Sequence, residues 1–388
     1  MVKPKQKISD RQVKSGSKPS VHAVILAGGA GERFWPRSRR AFPKPLMEVV
    51  GGQTLLEATL ERAHKVAESG QVWLVCGHEH ARAMRDASGL SPSRVLVEPE
   101  RRNTAMAVAW AAQRIVAKDP DAVMVVLSAD HHIPDAKSFA ESIKRAARAA
   151  QNEDVLVTLG IRPSRPETGY GYIHLGREMG AGFSGLHRVR RFVEKPDLAR
   201  AKRYVSLGDY LWNAGVFVWS ASALLREIEV CAPDLHKALA PLRKSGVGRA
   251  RAPVEAAYKR APSVPIDVAV LEKSRRVCTL PVEFAWSDVG TWESLGEQLG
   301  MGQKHRGGPG GQPNVDDLGN CVVGGDVLAL ESTDNLVWGS DRVVALLGVE
   351  DLAVIDTDDV ILITKISRSS DVRKVVAELK RKGRDHLT

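Results

Sequence analysis

Between residues 21 and 298, short apolar runs alternate with longer amphipathic segments, and this alternation limits the folds open to the chain. The runs His22–Ala27, Val72–Cys76, Val95–Val97, Val123–Leu127 and Val155–Leu159 are short, β-branched and bounded by turn residues, which predicts buried strands. One intervening helix starts from Thr54, with Leu56, Leu60, Ala63 and Ala67 on a single stripe. Another starts at Asn103, a good N-cap residue, and has an Ala/Val-rich face. Strands joined through helices require crossover connections, so the expected class is α/β with a largely parallel sheet.

From about Gly169 the pattern changes. Tyr172–Leu175 and Leu186–Val193 read as strands of a more antiparallel region, followed by helices over Ala199–Val205, Ala221–Val230 and Ile266–Lys273. Residues 299–314 are Gly-rich and predict a linker. Residues 315–388 predict a small β domain closed by a terminal helix. Its strands are Cys321–Val323, Val327–Leu330, Val343–Leu347, Ala353–Asp356 and Val360–Thr364, and its helix covers Asp371–Arg381.

No run approaches the roughly 20 apolar residues of a membrane span. Residues 1–20 hold Lys3, Lys5, Lys7, Arg11, Lys14 and Lys18 against Asp10, a pattern that predicts a flexible basic tail rather than a secretory signal. Four scattered cysteines, Cys76, Cys231, Cys278 and Cys321, form no CxxC pair. A zinc site or disulfide framework is therefore not expected, and a reducing cytoplasm is. The net charge of +10 is compatible with a nucleic-acid partner, a polyphosphate pocket or a solvated surface.

The chemistry begins directly after the first strand, at Ala27-Gly28-Gly29-Ala30-Gly31-Glu32-Arg33. Glycines let backbone N–H groups approach a ligand, and a helix start beyond them makes a phosphate cradle. The dinucleotide and P-loop fingerprints both fail here. Arg33 and Lys44 supply cations near the same strand end, with Arg39 and Arg40 between them and Pro36 and Pro43 stiffening the loop. Such a loop suits a triphosphate, whose charge must be neutralised before a nucleophile approaches. Phe34 and Trp35 among those charges fit poorly with a merely exposed basic loop.

The stretch Leu26-Ala27-Gly28-Gly29-x-Gly31-x-Arg33-Phe34-Trp35-Pro36-x-Ser38-Arg39, followed by Pro43-Lys44, resembles the opening of mannose-1-phosphate guanylyltransferases within the sugar-nucleotidyltransferase superfamily. Pro45 stands where the mannose branch usually has Gln, and Lys-Pro is commoner in glucose-1-phosphate enzymes. The resemblance covers nearly the whole chain from residue 22. It implies a Rossmann-like, mixed but mostly parallel sheet of the nucleotide-diphospho-sugar transferase type, with a C-terminal left-handed β-helix-like domain. Leu26, Gly28, Gly29, Gly31, Arg33, Glu98, Asn103 and Thr104 would then bind the nucleotide.

Mg²⁺ is commonly held by one or two carboxylates plus phosphates and water. Asp130, in Leu127-Ser128-Ala129-Asp130-His131, and Asp288, in Trp286-Ser287-Asp288-Val289-Gly290, match the family's metal-binding motifs. Gly169, Tyr170 and Gly171, then Glu194 and Lys195, then Asn213, resemble its sugar-phosphate pocket in family order, with Asp267 nearby. On an ordinary strand Glu194 and Lys195 would face opposite ways, a rule that Pro196 can break. The histidines His131, His132, His78 and His80 lack a third ligand at suitable spacing and are expected to be solvated or hydrogen-bonded.

The resemblance thus implies an enzyme that transfers GMP from GTP to mannose 1-phosphate, with Arg33, Lys44, Asp130 and Lys195 catalytic and Mg²⁺ as cofactor. Its partners would be those two substrates, with no specific nucleic acid and no membrane; a homodimer stays open. Longer family members add a His-rich phosphomannose isomerase domain, and no such motif follows residue 310, so isomerase activity is not expected. The alternatives are another base or sugar 1-phosphate, a regulatory subunit that binds nucleotide sugar, or nucleic-acid binding through the tail.

Overall fold

The structure, a computed structural model, describes residues 20–29, 31–50, 52–180, 182–244, 251–302 and 314–388. The expected basic tail and most of the expected linker lie outside those residues. Nine strands form the main sheet: β1 Val21–Ala27, β2 Val72–Gly77, β3 Val95–Glu98, β4 Val123–Ser128, β5 Leu156–Ile161, β6 Tyr172–Glu178, β7 His187–Val193, β8 Tyr210–Ser220 and β9 Val277–Val282. They are ordered β3-β2-β1-β4-β8-β5-β9-β7-β6. Strands β1 to β4 run parallel, as do β5 and β9, while β8 lies antiparallel between β4 and β5.

Alternate residues of β1 feed two cores. Ala23 and Ile25 pack with Leu56, Leu60 and Met84 on one face, together with Phe139 of the helix Ala136–Glu153. Val24 packs on the other face with Met106, Trp110 and Leu224. Burial on both faces explains why these strands read as unbroken apolar runs.

Strand β8 and the helix Ala136–Glu153 are elements that the sequence reading omitted. The strand carries Trp212-Asn213-Ala214-Gly215, and its pairing with β5 shifts register between Asn213 and Phe217. That irregularity masks the two-residue period. The expected helix over Ile266–Lys273 is a single π-type turn, Asp267–Leu271. Asn103 is at φ 60°, and its side chain accepts from Thr104 N–H at 2.8 Å, not from the next turn as an ordinary N-cap does.

In the C-terminal part, Cys321–Val323, Leu336–Trp338 and Leu352–Asp356 pair in parallel, as successive coils of a β-helix would. Asp326–Leu330 and Val343–Leu347 pair likewise on a second face. Asn335 Nδ2 donates to Asn320 Oδ1 at 2.8 Å, and Leu352 N–H donates to Asn335 Oδ1 at 3.0 Å, so buried amides stitch one coil to the next.

A third core joins this β-helix to the start of the main sheet. Phe34 and Trp35 pack there with Trp292, Leu336, Trp338 and Ile355. The aromatic pair that stood out among the charges is therefore an anchor. It fixes the glycine turn against the C-terminal coils.

Candidate active site

The glycine turn leaves β1 beside Lys44. Gly31 is at φ 65°, and a Cβ there would lie 2.5 Å from Lys44 Cβ and 2.6 Å from Ser38 Oγ, so no larger residue fits. Lys44 is only 6% exposed. Its Nζ donates to Asp130 Oδ2 at 2.7 Å and to the Asp288 carbonyl at 2.8 Å, and lies 5.5 Å from the centre of the Phe34 ring. Arg33 is exposed on the short helix after the turn.

Asp130 follows β4, where Ala129 N–H extends the ladder to the Leu26 carbonyl at 2.9 Å. Two residues on, His132 and Ser287 exchange backbone hydrogen bonds of 2.9 and 3.0 Å. This bridge brings the segments of the two candidate metal ligands together. Val289, at φ 43°, turns the chain, and its N–H donates to Ser287 Oγ at 3.0 Å. A β-branched residue in the left-handed region is strained, and here the turn accompanies an Asp288 carbonyl aimed at Lys44.

The electrostatics follow from the packing. Burial alone would raise the pKa of Asp130, but Lys44, His131 and the hydroxyl of Ser128 outweigh it and hold the carboxyl at about 2. Asp130 is thus a firm anion. Burial lowers the pKa of His131, whose Nδ1 accepts from Trp286 Nε1 at 3.3 Å. Tyr170 OH donates to Asp288 Oδ1 at 2.9 Å, while its ring meets Trp212 and Trp286 edge-on, each at 5.2 Å.

Through Tyr170 and Trp212 this cluster adjoins a second one. Asn213 N–H donates to the Gly171 carbonyl at 2.8 Å, and Asn213 Nδ2 donates to Asp267 Oδ1 at 2.8 Å. A Cβ on Gly171 would lie 2.8 Å from Glu194 Oε2, so that carboxylate rests against the glycine backbone. Gly169 N–H donates to Glu167 Oε1 at 2.9 Å, fixing the start of the loop. Lys195, at φ 47°, bends back so that Nζ meets Glu194 Oε1 at 2.8 Å. The strand rule of opposite faces fails here because β7 has already ended at Val193.

Burial, then the charge of Glu194, raises the Asp267 pKa to about 7, against 3.8 for a free aspartate. The folded chain therefore binds more protons than the unfolded one between those values, and stability falls as pH rises through the window. Asp267→Asn is expected to match wild type near pH 3.5 and to become progressively more stable than it up to about pH 7, beyond which the gap stays constant. Urea titrations across that range check the trend.

Glu98 ends β3 and is buried. Its Oε1 accepts from Tyr258 OH at 3.0 Å, and burial raises its pKa to about 7. A Cβ on Gly28 would lie 3.5 Å from Glu98 Oε2, so the acid borders the glycine turn. Thr104 Oγ1 accepts from Ile266 N–H at 2.9 Å, tying the candidate base-binding stretch to the segment before Asp267. Gly29 has open space beside it.

Tyr258 escaped the sequence reading; it lies 160 residues from Glu98 on an unremarkable helix, Arg251–Arg260. Arg39 and Arg40, between Arg33 and Lys44 in sequence, lie elsewhere: Arg39 grips Asp359 at 2.6 and 2.7 Å, and both line a separate cavity. His80 is 3% exposed, beside the Arg40 backbone and 3.6 Å from Glu79 Oε1.

A sheet of this topology, with a glycine turn, a buried lysine and two approaching aspartates at one end, is that of a nucleotide-transferring enzyme. The chain belongs to the nucleotidyl transferase family, whose profile matches residues 22–300. The profile of the MannoseP isomerase/GMP-like beta-helix domain matches residues 325–379. The alginate biosynthesis protein AlgA of Pseudomonas aeruginosa is 37% identical over 366 residues, which are 93% of this chain and 72% of that protein. A mannose-1-phosphate guanylyltransferase of Salmonella montevideo is 35% identical over 375 residues, 94% of this chain and 75% of its own length. A crystal structure from Thermus thermophilus, described as a mannose-1-phosphate geranyltransferase, superposes with TM-score 0.81 at 34% identity, covering 93% of this chain and 99% of that one.

Among the described residues, no helix is long and apolar enough to cross a membrane.

Proposed function

We propose that this chain transfers GMP from GTP to mannose 1-phosphate, releasing pyrophosphate and GDP-mannose. The observation that carries the reading is the meeting of Lys44 with Asp130 and the Asp288 segment beside the glycine turn. The choice of guanine and mannose is supported by the activity named for the Salmonella relative.

In this reading the triphosphate lies along Gly28–Arg33. Lys44 and Arg33 neutralise it, and Lys44 exchanges its contact with Asp130 for a phosphate oxygen. The sugar 1-phosphate lies against Gly169–Gly171, Glu194 and Asn213, with Lys195 orienting its phosphate. Glu194 accepts from sugar hydroxyls, and the apposed Asp267 fixes the amide of Asn213. An oxygen of the sugar phosphate attacks the α-phosphorus in line, the bond to the β-phosphate oxygen breaks, and pyrophosphate leaves. Positioning and charge neutralisation suffice for this displacement, with no covalent enzyme intermediate. Glu98, Asn103 and Thr104 bound the space beyond the turn that the base would enter.

Magnesium is the metal we propose, held by Asp130 and Asp288. The residues fit it: Asp130 is a firm anion, and the missing Cβ of Gly290, which would lie 2.8 Å from Asp288 Oδ2, leaves room at that oxygen. Mg²⁺ bound there supplies neutralising charge to the phosphates in the transition state.

The reading predicts pyrophosphate release when GTP, mannose 1-phosphate and Mg²⁺ are all present, and none when either substrate or the metal is omitted. Faster release with another nucleotide or with glucose 1-phosphate would reassign the specificity and keep the chemistry. Lys195→Ala is expected to raise KM for the sugar phosphate by about 10- to 100-fold, as loss of a charged hydrogen bond does, with a smaller change in KM for GTP. An unchanged response to sugar-phosphate concentration counts against its assignment.

A further inference from the structure

A cavity of about 270 Å³ opens at the junction of the main sheet with the C-terminal helix Val372–Arg381, away from the substrate cluster. Its wall includes Glu32 and Trp35 from the segment after the glycine turn, Arg39 and Arg40, His80 and Arg101, and Lys380 from the helix. Apart from Glu32, which belongs to the glycine stretch, none of these residues has a role in the transfer reaction derived above.

Most of the charge is already matched. Lys380 Nζ meets Glu32 Oε1 at 2.8 Å, Arg101 pairs with Glu79, and Arg39 is held by Asp359. Two basic groups are not matched. The Arg40 guanidinium is exposed and, among the described residues, has neither a hydrogen bond nor an ion pair; its backbone N–H donates to a main-chain oxygen of Thr388, another residue of the cavity wall, at 3.3 Å. The His80 ring is 3% exposed; its polar neighbours are the Arg40 backbone and Glu79 Oε1, 3.6 Å from Nε2, and neither ring nitrogen makes a hydrogen bond of good geometry. A buried imidazole without good hydrogen bonds is costly unless something is meant to occupy the space beside it. Asp385 also faces the cavity, and it is an acid that a bound anion must tolerate.

We propose that this junction cavity binds a small phosphate monoester, held by Arg40 and His80 and reached by the side chains of Lys380 and Arg101. The volume lies just under the range typical of drug-sized ligands and suits a group of a few heavy atoms beyond the phosphate. Guanidinium groups present planar donor pairs that match phosphate oxygens, and His80 adds an N–H from a dry wall. The ligand would touch Glu32, at the end of the glycine stretch, and Trp35, two residues beyond Arg33, so the site adjoins the glycine turn on the side away from Lys44 and Asp130.

The test is titration calorimetry of the full chain with glycerol phosphate and, separately, with glycerate, comparing wild type with Arg40→Glu, His80→Gln, Asp385→Asn and Lys44→Ala. The proposal expects saturable binding of one phosphate monoester in wild type, weakened at least about 10-fold in Arg40→Glu and His80→Gln and tightened in Asp385→Asn. Binding should persist in Lys44→Ala, whose altered group lies in the other site. Loss of binding in Lys44→Ala with retention in Arg40→Glu would assign the anion to the glycine turn and overturn the proposal. So would no binding in wild type, or tighter binding of glycerate than of the phosphate. Arg40 is exposed, so Arg40→Glu keeps the test valid even if His80→Gln fails to fold. Because nothing in the titration depends on turnover, its outcome is independent of the reaction proposed above.

Discussion

Asp130→Ala is expected to cut turnover by about 10³-fold or more while leaving the fold intact, the scale of losing a preorganised charge at a phosphoryl-type transition state. Asp130 is held near a pKa of 2 by Lys44, whose Nζ is 2.7 Å away. The carboxylate is therefore charged at every working pH, and protonation cannot substitute for its removal. Truncation leaves Lys44 with the Asp288 carbonyl as its hydrogen-bond acceptor. Breaking a buried pair from one side costs stability, so circular dichroism and a melting curve should accompany the assay. A folded variant with near-normal pyrophosphate release would remove Asp130 from the chemistry. Asp130→Asn, which keeps shape and loses charge, should fall almost as far.

Trp292→Ala is expected to destabilise the protein by about 3–5 kcal/mol, the usual cost of deleting a large buried aromatic. Trp292 is 0% exposed. Its ring meets Phe34 at 4.9 Å and Trp338 at 5.7 Å, and its Nε1 donates to the Trp35 carbonyl at 3.3 Å. One side chain therefore couples the β-helix coils to the residues that follow the glycine turn. The loss should appear as a lower urea midpoint, together with a raised KM for GTP because Phe34 and Arg33 lose their backing. A variant that loses stability with unchanged GTP response would mean that the glycine turn is held without this core. Trp292→Phe, which keeps much of the volume, should recover most of both effects.

What the sequence made legible was the periodic part of the fold. Strands buried on both faces, such as β1 and β4, announce themselves as apolar runs, and the helix stripe through Leu56, Leu60 and Ala63 does too. Strand β8 was hidden because its bulge at Asn213 breaks the alternation and Gly215 adopts φ 64° within it. The coil strand Leu336–Trp338 was hidden because its buried ladder rests on Asn320 and Asn335, residues that read as turn formers in one dimension.

The site divides in the same way. Motif residues near one another in sequence, such as the glycine turn or Glu194 and Lys195, could be named because local chemistry is written locally. Contacts made across the fold could not. The Tyr258 hydroxyl on Glu98, the Tyr170 hydroxyl on Asp288 and the bridge between His132 and Ser287 exist only once β-topology sets their positions. Arg39 and Arg40 lie between Arg33 and Lys44 in sequence, yet in the fold Lys44 is buried against Asp130 while the two arginines line the C-terminal junction.

The central claim is that Asp130 and Asp288, far apart in the chain, serve one divalent ion on a triphosphate. Electron paramagnetic resonance with Mn²⁺ and a non-hydrolysable GTP analogue tests it most directly. The account predicts one tightly bound Mn²⁺ per chain when the analogue is present, lost in Asp130→Ala and equally in Asp288→Ala. Retention of that ion at wild-type affinity in either folded variant would contradict it.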